Sequence, residues 1–210
     1  MSAHCCGPAH SFQSTIGPNV RRVLWIALVV NLVMFAVEIV GSVKSGSMSL
    51  LADSVDFAGD AANYGISLAV LSMGLAWRSR AAMVKGLSMA AYGLFVVGNT
   101  AWMGFAGRTP DPVTMGSIAA LALFANVAVA AMLYAFRDGD ANLRSVWLCS
   151  RNDAIGNLAV MLAAAGVSGT GSGWPDLAVA LTMGGLALSS GVAVVRQARQ
   201  ELEIAQTAVA

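Results

Sequence analysis

Six apolar runs, each of about 20 residues, divide nearly the whole chain, with short polar breaks between them. They lie at roughly Val23–Val43, Met48–Met73, Ala82–Ala106, Thr114–Phe136, Ser145–Val167 and Leu177–Val195. A run of that length, coiled as a helix, crosses a hydrocarbon layer about 30 Å thick. The alternation of a barrel strand, about 10 residues long, is absent. The pattern predicts an all-α membrane protein with six transmembrane helices. The breaks hold Lys44 to Ser47, Trp77 to Arg80, Gly107 to Pro112, Arg137 to Asp140 and Ser168 to Pro175, and all carry turn chemistry. Because every break is short, sequential helices are expected to pack as antiparallel neighbours.

Composition removes other classes. Hydrophobic residues are 57% of the chain and charged residues 11%, against about 25% charged in soluble domains. So few charges cannot cover a water-soluble surface, which excludes a soluble globular enzyme and a disordered chain. At net charge +1 no basic patch for nucleic acid exists. The only histidines, His4 and His10, precede the first run, so haem ligated by two histidines inside the bundle is excluded. No prosthetic group is expected. Cys5, Cys6 and Cys149 form no disulfide framework.

The cations are sorted by side. Arg21, Arg22, Arg78, Arg80, Lys85, Arg137, Arg144, Arg151, Arg196 and Arg199 fall on or near the side of the N-terminus, and only Lys44 and Arg108 on the other. Excess Lys and Arg marks the cytoplasmic side. Both termini are therefore expected in the cytoplasm, in a multi-pass protein of the inner membrane. The start has no positive segment leading into an apolar one, so no cleaved signal is expected. The expected division is an N-terminal cytoplasmic segment over 1–20, a six-helix transmembrane domain over 21–196 and a short cytoplasmic tail over 197–210.

Carboxylates inside the runs carry the chemistry. One acidic residue at a helix centre costs about 2.5–3.5 kcal/mol on insertion. Asp53, Asp56, Asp60 and Asn63 of the second run fall within an arc of about 80° on one helix face. Cys149, Asp153 and Asn157 of the fifth run form another stripe at a spacing of four. Two such pairs on facing helices supply four ligands, Asp56 and Asp60 with Cys149 and Asp153, which suits a tetrahedral divalent ion. The thiolate shifts preference toward Zn, Cd or Co over Mg and Ca. Ligands that lose protons to bind metal regain them on release, so proton–metal exchange follows from the site chemistry. Asp53 is either a pathway group or an N-terminal cap. Glu38 lines a pathway, faces water or pairs with Lys44. Asn31, Asn126 and Asn157 read as groups that join helices, with Asn31 and Asn157 also candidates near the ligands or pathway. Asn31 and Asn126, and Asp60 and Asp153, recur 95 and 93 residues apart, two coincidences that do not by themselves establish a repeat; a three-helix unit repeated once would be inverted.

At these residues the sequence resembles the cation diffusion facilitator family of divalent metal efflux transporters. Gly46 to Asp60 resembles that family's second-span signature, a Ser-rich entry and an Ala-Asp pair before a ligand-x-x-x-Asp motif. Ser150 to Asn157 is similar to its fifth-span signature. Trp174-Pro175-Asp176 before the sixth run fits as well, as do Asn31, Glu38 and Gly41 in the first and Asn126 in the fourth. The resemblance covers residues 20–200. It implies a proton-driven exporter of divalent transition metals, normally a homodimer, with Asp56, Asp60, Cys149 and Asp153 as the metal site. This chain departs by placing Cys149 where zinc-selective members usually have His, by lacking His between the fourth and fifth runs, and by reading as a short member without the family's C-terminal cytoplasmic domain.

The segment His4-Cys5-Cys6-Gly7-Pro8-Ala9-His10 is a candidate metal collector. The alternatives to transport are a non-transporting metal sensor or bundle subunit, which would depend on that segment, and a passive cation channel. The eleven methionines read as packing filler.

Overall fold

The computed structural model describes residues 18–69, 75–135 and 141–207, with side chains described over 19–66, 68–69, 79–135 and 150–203. Six helices run in chain order: α1 Pro18–Ser45, α2 Met48–Ala69, α3 Leu75–Ala106, α4 Pro112–Tyr134, α5 Ala141–Thr170 and α6 Trp174–Thr207. Pro18 and Pro112 each open a helix, where the missing N–H is not needed. α1, α3 and α5 each run into a glycine of left-handed conformation, Gly46, Gly107 and Gly171. Their N–H groups bond back to the carbonyls of Ser42, Met103 and Val167, which closes each helix where an L side chain would be strained.

The bundle is apolar outside and buries a set of polar residues within its apolar interior. Trp102 is 72% and Phe105 91% exposed, and Val33, Phe95, Phe124 and Leu162 also point outward. Asn31, Glu38, Asp53, Asp60, Asn126, Asn157 and Asp176 are buried. Such a surface is stable against hydrocarbon and aggregates in water. Five helices hold stretches long and apolar enough to cross a membrane, within α1, α3, α4, α5 and α6. α2 fails on composition alone, because Asp53, Asp56 and Asp60 lie in it. Its 22 residues still reach about 33 Å, and its neighbours enclose it.

Two sequence expectations change. Trp77 to Arg80 is not a break, because α3 already begins at Leu75. Nor do all sequential helices pair. α1 packs on α2 and α4 on α5, but α3 packs mainly on α6, with no substantial contact to α4 among the described residues. Small residues decide this. A Cβ added at Gly93 would sit 2.7 Å from the backbone N of Leu188, and one at Gly191 2.6 Å from that of Ala90. Gly86 and Gly184 continue the seam one heptad away on their own helices. Glycine lets these two backbones touch, as close helix pairs in membranes require. Exchanging α1–α3 for α4–α6 maps the α1–α2 contact onto α4–α5 and α2–α3 onto α5–α6, while the α2–α6 contact has no substantial counterpart among the described residues.

Hydrogen bonds lock one end of the bundle. Asp111 N–H donates to the Ser45 carbonyl at 2.8 Å, joining α4 to α1. Asp111 also caps α4. The Thr114 hydroxyl and the backbone N–H groups of Thr114 and Val113 donate to its carboxylate and hold its pKa below the usual carboxylate range. Asp176 of α6 reaches the start of α2, where the Ser47 hydroxyl and the Met48 and Ser49 N–H groups donate to it. At the other end of α6, the Ser79 hydroxyl donates to Glu201 at 2.9 Å, so α6 stays packed on α3 past Arg199. An apolar cluster of Leu50, Val96, Met115, Val160 and Met183 fills the bundle near the locked end. A second, of Leu24, Tyr64, Val129 and Leu133, fills it on the other side of the buried polar residues.

Candidate metal centre

The polar interior divides into two carboxyl pairs along α2. The first joins α2 to α5. Asp60, 5% exposed, faces Asp153 within hydrogen-bonding reach. Tyr64, one turn along from Asp60, donates its hydroxyl to Asp60 Oδ2 at 3.1 Å. The Tyr64 hydroxyl oxygen also lies 2.9 Å from Ser150 Oγ of α5. A phenol has one proton, so with that proton on Asp60 the Ser150 hydroxyl donates to Tyr64. Asn63 also lies in hydrogen-bonding reach of Asp60 and accepts from Lys85 Nζ of α3.

The second pair joins α1 to α2. Glu38 and Asp53 are fully buried and adjacent. No other described donor reaches any of their four oxygens. Glu38 therefore faces Asp53 and not water or Lys44, which is exposed. Asp53 lies inside α2 and is not its cap; Ser47, donating through its hydroxyl to Asp176 and accepting from Leu50 N–H, does that work. Asp56 is half-buried and within electrostatic reach of Glu38.

The structure thus brings Asp60 and Asp153 together, and places Asp56 one turn before Asp60 on α2. Among the described residues no three His, Cys, Asp or Glu side chains form a group able to hold a metal. Cys149 lies on α5, but its side chain is outside the described residues, as are His4, Cys5, Cys6 and His10. The asparagines do not join helices as expected. Asn31 donates to the Ala27 carbonyl and Asn157 to that of Asp153, each within its own helix. The side-chain oxygens of Asn31, Asn126 and Asn157 are buried without a donor among the described residues. Bundle-facing oxygens of this kind are acceptors open to a cation or to water.

Sequence reasoning missed Lys85. Reading a break at Trp77 to Arg80 placed it at the end of a span, as a marker of the cytoplasmic side. In α3 it is ten residues in and buried. It begins an inward stripe with Met89, Tyr92 and Val96, and that spacing of 3.6 was the available signal. The roles of Tyr64 and Ser150 left no such trace, because they meet only across α2 and α5.

Residues 24–202 match the family model described as the cation efflux transmembrane domain. A curated protein of Geobacillus stearothermophilus, described as "Uncharacterized protein in glgB 5'region", is 40% identical over 55 residues. That match covers 26% of this chain and 51% of the relative, so the chain spans about half the length of the curated protein it matches. With the family match running from α1 into the last turns of α6, over a six-helix bundle that buries Glu38, Asp53 and Asp60, the chain belongs to the cation efflux family and is a multi-pass membrane protein.

Proposed function

We propose that this protein exports divalent transition-metal ions of the Zn, Cd or Co class from the cytoplasm, by alternating access, with protons moving inward. The observation that carries the reading is the Asp60–Asp153 pair, two carboxyls facing each other across α2 and α5 inside an apolar bundle. Two carboxylates so placed repel until protons or a cation join them. A divalent ion and protons are therefore alternative occupants of one site, which is the chemical basis of antiport. In this reading Asp56, Asp60, Asp153 and Cys149 close on the ion in the loaded state. Cys149 selects a borderline or soft metal over Mg or Ca. Asp53, Glu38, Asn31 and Asn157 line the route or support the ligands, and His4, Cys5, Cys6 and His10 gather metal on the cytoplasmic side. The protein would sit in the inner membrane with both ends in the cytoplasm, pairing as a homodimer through its helices.

The test is metal flux into proteoliposomes holding a metal-sensitive dye, with an imposed pH gradient. Zn or Co uptake should depend on the gradient and vanish in Asp60→Asn and Asp153→Asn. Transport retained in both variants would overturn the site. Flux that ignores pH would make the protein a channel. Removal of residues 1–15 should leave most flux intact, whereas a sensor would lose its metal response.

A further inference from the structure

We propose that Lys85 is a resident counter-cation for the Asp60–Asp153 pair, so that an incoming divalent ion binds against the charge of this chain's own ammonium group. The inference rests on the transport reading above and concerns the same site.

Lys85 is 8% exposed on the inward stripe of α3. Its Nζ donates to Asn63 Oδ1 on α2. Asn63 is a dipole and cannot offset a charge. An ammonium inside a membrane bundle needs a carboxylate within reach, and Asp60, one turn before Asn63, lies within electrostatic reach of Lys85. The same Asn63 lies in hydrogen-bonding reach of Asp60, so the amide links the two charged groups. Lys85 also lies in the wall of a cavity of about 530 Å³ between α2 and α3, whose other walls include Phe35, Val55, Ile66, Met89 and Tyr92. Both Lys85 and Asp60 are buried, which weakens the screening between them, so the interaction is stronger than it would be in water.

Charge counting gives the consequence. Whatever charge the ionised ligands carry, Lys85 makes the site more positive by one unit. A divalent ion entering near Lys85 is repelled by the ammonium, which offsets part of its attraction to the carboxylates. Lys85 thus lowers the affinity of the loaded state and favours release. It acts through Asp60 and is a positioning and tuning residue, not a ligand.

The experiment measures Co²⁺ and Zn²⁺ affinity of the purified full chain in detergent, by competition with a chromophoric chelator, for the parent, Lys85→Gln, Lys85→Met and Lys85→Arg. Lys85→Gln keeps a donor for Asn63 without the charge, and Lys85→Met fills the space with an uncharged chain of similar length. Both should bind metal about tenfold tighter than the parent, with Lys85→Arg within about twofold of it. In liposomes the neutral variants should lower KM and also kcat, because release slows. Neutral variants that bind no tighter than the parent, or an arginine variant that tightens as much as they do, would overturn the inference. Since two neutral variants and one charged variant are compared, loss of one fold leaves the comparison standing. Asp60→Asn separates the two readings. Metal binding by the parent that Asp60→Asn removes, with no effect of Lys85, defeats this inference alone, whereas no metal binding by the parent defeats the transport reading and this inference with it.

Discussion

The Ser47 hydroxyl, at the entrance of α2, donates a 2.6 Å hydrogen bond to Asp176, 129 residues later on the first turn of α6. The same carboxylate accepts from Met48 N–H at 2.8 Å and Ser49 N–H at 3.0 Å. A helix start leaves several N–H groups without partners, and here a neighbouring helix supplies the acceptor. α2 and α6 are thereby held in one register at the end of the bundle where α4 is also tied to α1. Asp176→Ala should destabilise the protein by about 3 kcal/mol, and Asp176→Asn by less, since one oxygen still accepts. Thermal unfolding in a fixed detergent measures the difference.

The α3–α6 seam should tolerate no side chain. Gly93→Val and Gly191→Val place atoms within the backbone of the facing helix, whose added Cβ positions already lie 2.7 and 2.6 Å from backbone nitrogens. Both should lower the unfolding temperature sharply and reduce folded yield. Gly98 and Gly185 face open space, and valine at either should leave folding close to the parent. Size-exclusion profiles and melting curves of the four variants decide it.

Glu38 and Asp53 can bond each other only through a proton held between them, since no other described donor reaches them. Asp53→Asn supplies an N–H to Glu38 and should leave stability near that of the parent. Asp53→Ala strands the Glu38 carboxyl and should cost about 2 kcal/mol. If Asp53→Asn were as unstable as Asp53→Ala, the pairing of these two groups would be wrong.

Tyr64 holds Asp60 toward α5 through two hydrogen bonds. Tyr64→Phe removes both and keeps the packing of the ring. It should raise the KM for Co²⁺ about fivefold, the worth of about 1 kcal/mol, a typical net hydrogen bond lost from the site. Ser150→Ala removes only the outer bond and should have a smaller effect. Initial rates in proteoliposomes over a range of Co²⁺ measure both.

Asp111 gives a stability contribution with a known sign in pH. Its donors hold the carboxyl below the usual carboxylate range in the folded protein. The contribution is therefore present above the unfolded value and disappears as pH falls through the folded one. Asp111→Ser keeps a cap without a charge. The difference in unfolding temperature between parent and variant should be constant near neutrality and shrink on acidification below about pH 4.

Much of this molecule could be read along the chain because a helix is a local object. The apolar runs set six helices and their membrane environment, and the 100° step per residue placed Asp53, Asp56 and Asp60 on one face. The glycines after α1, α3 and α5 marked three turns, since left-handed backbone favours glycine. The Cys149 to Asn157 stripe was equally visible. Single-helix geometry failed at Lys85 because the four residues from Trp77 to Arg80 look like a loop by composition and are helical in place. It failed at Glu38 because its partner is on another helix.

The sequence by itself determined how many helices form, which of their faces are polar and which solvent they need, because hydrophobicity and helical period act within about 20 residues. Only the tertiary structure decided that α3 lies against α6, that Asp176 accepts from the first N–H groups of α2, that Glu38 meets Asp53 and that Lys85 bonds Asn63 within electrostatic reach of Asp60. Those pairings follow from the register and approach of whole helices, which close packing of small residues and the pairing of buried polar groups set across distances that no local pattern spans.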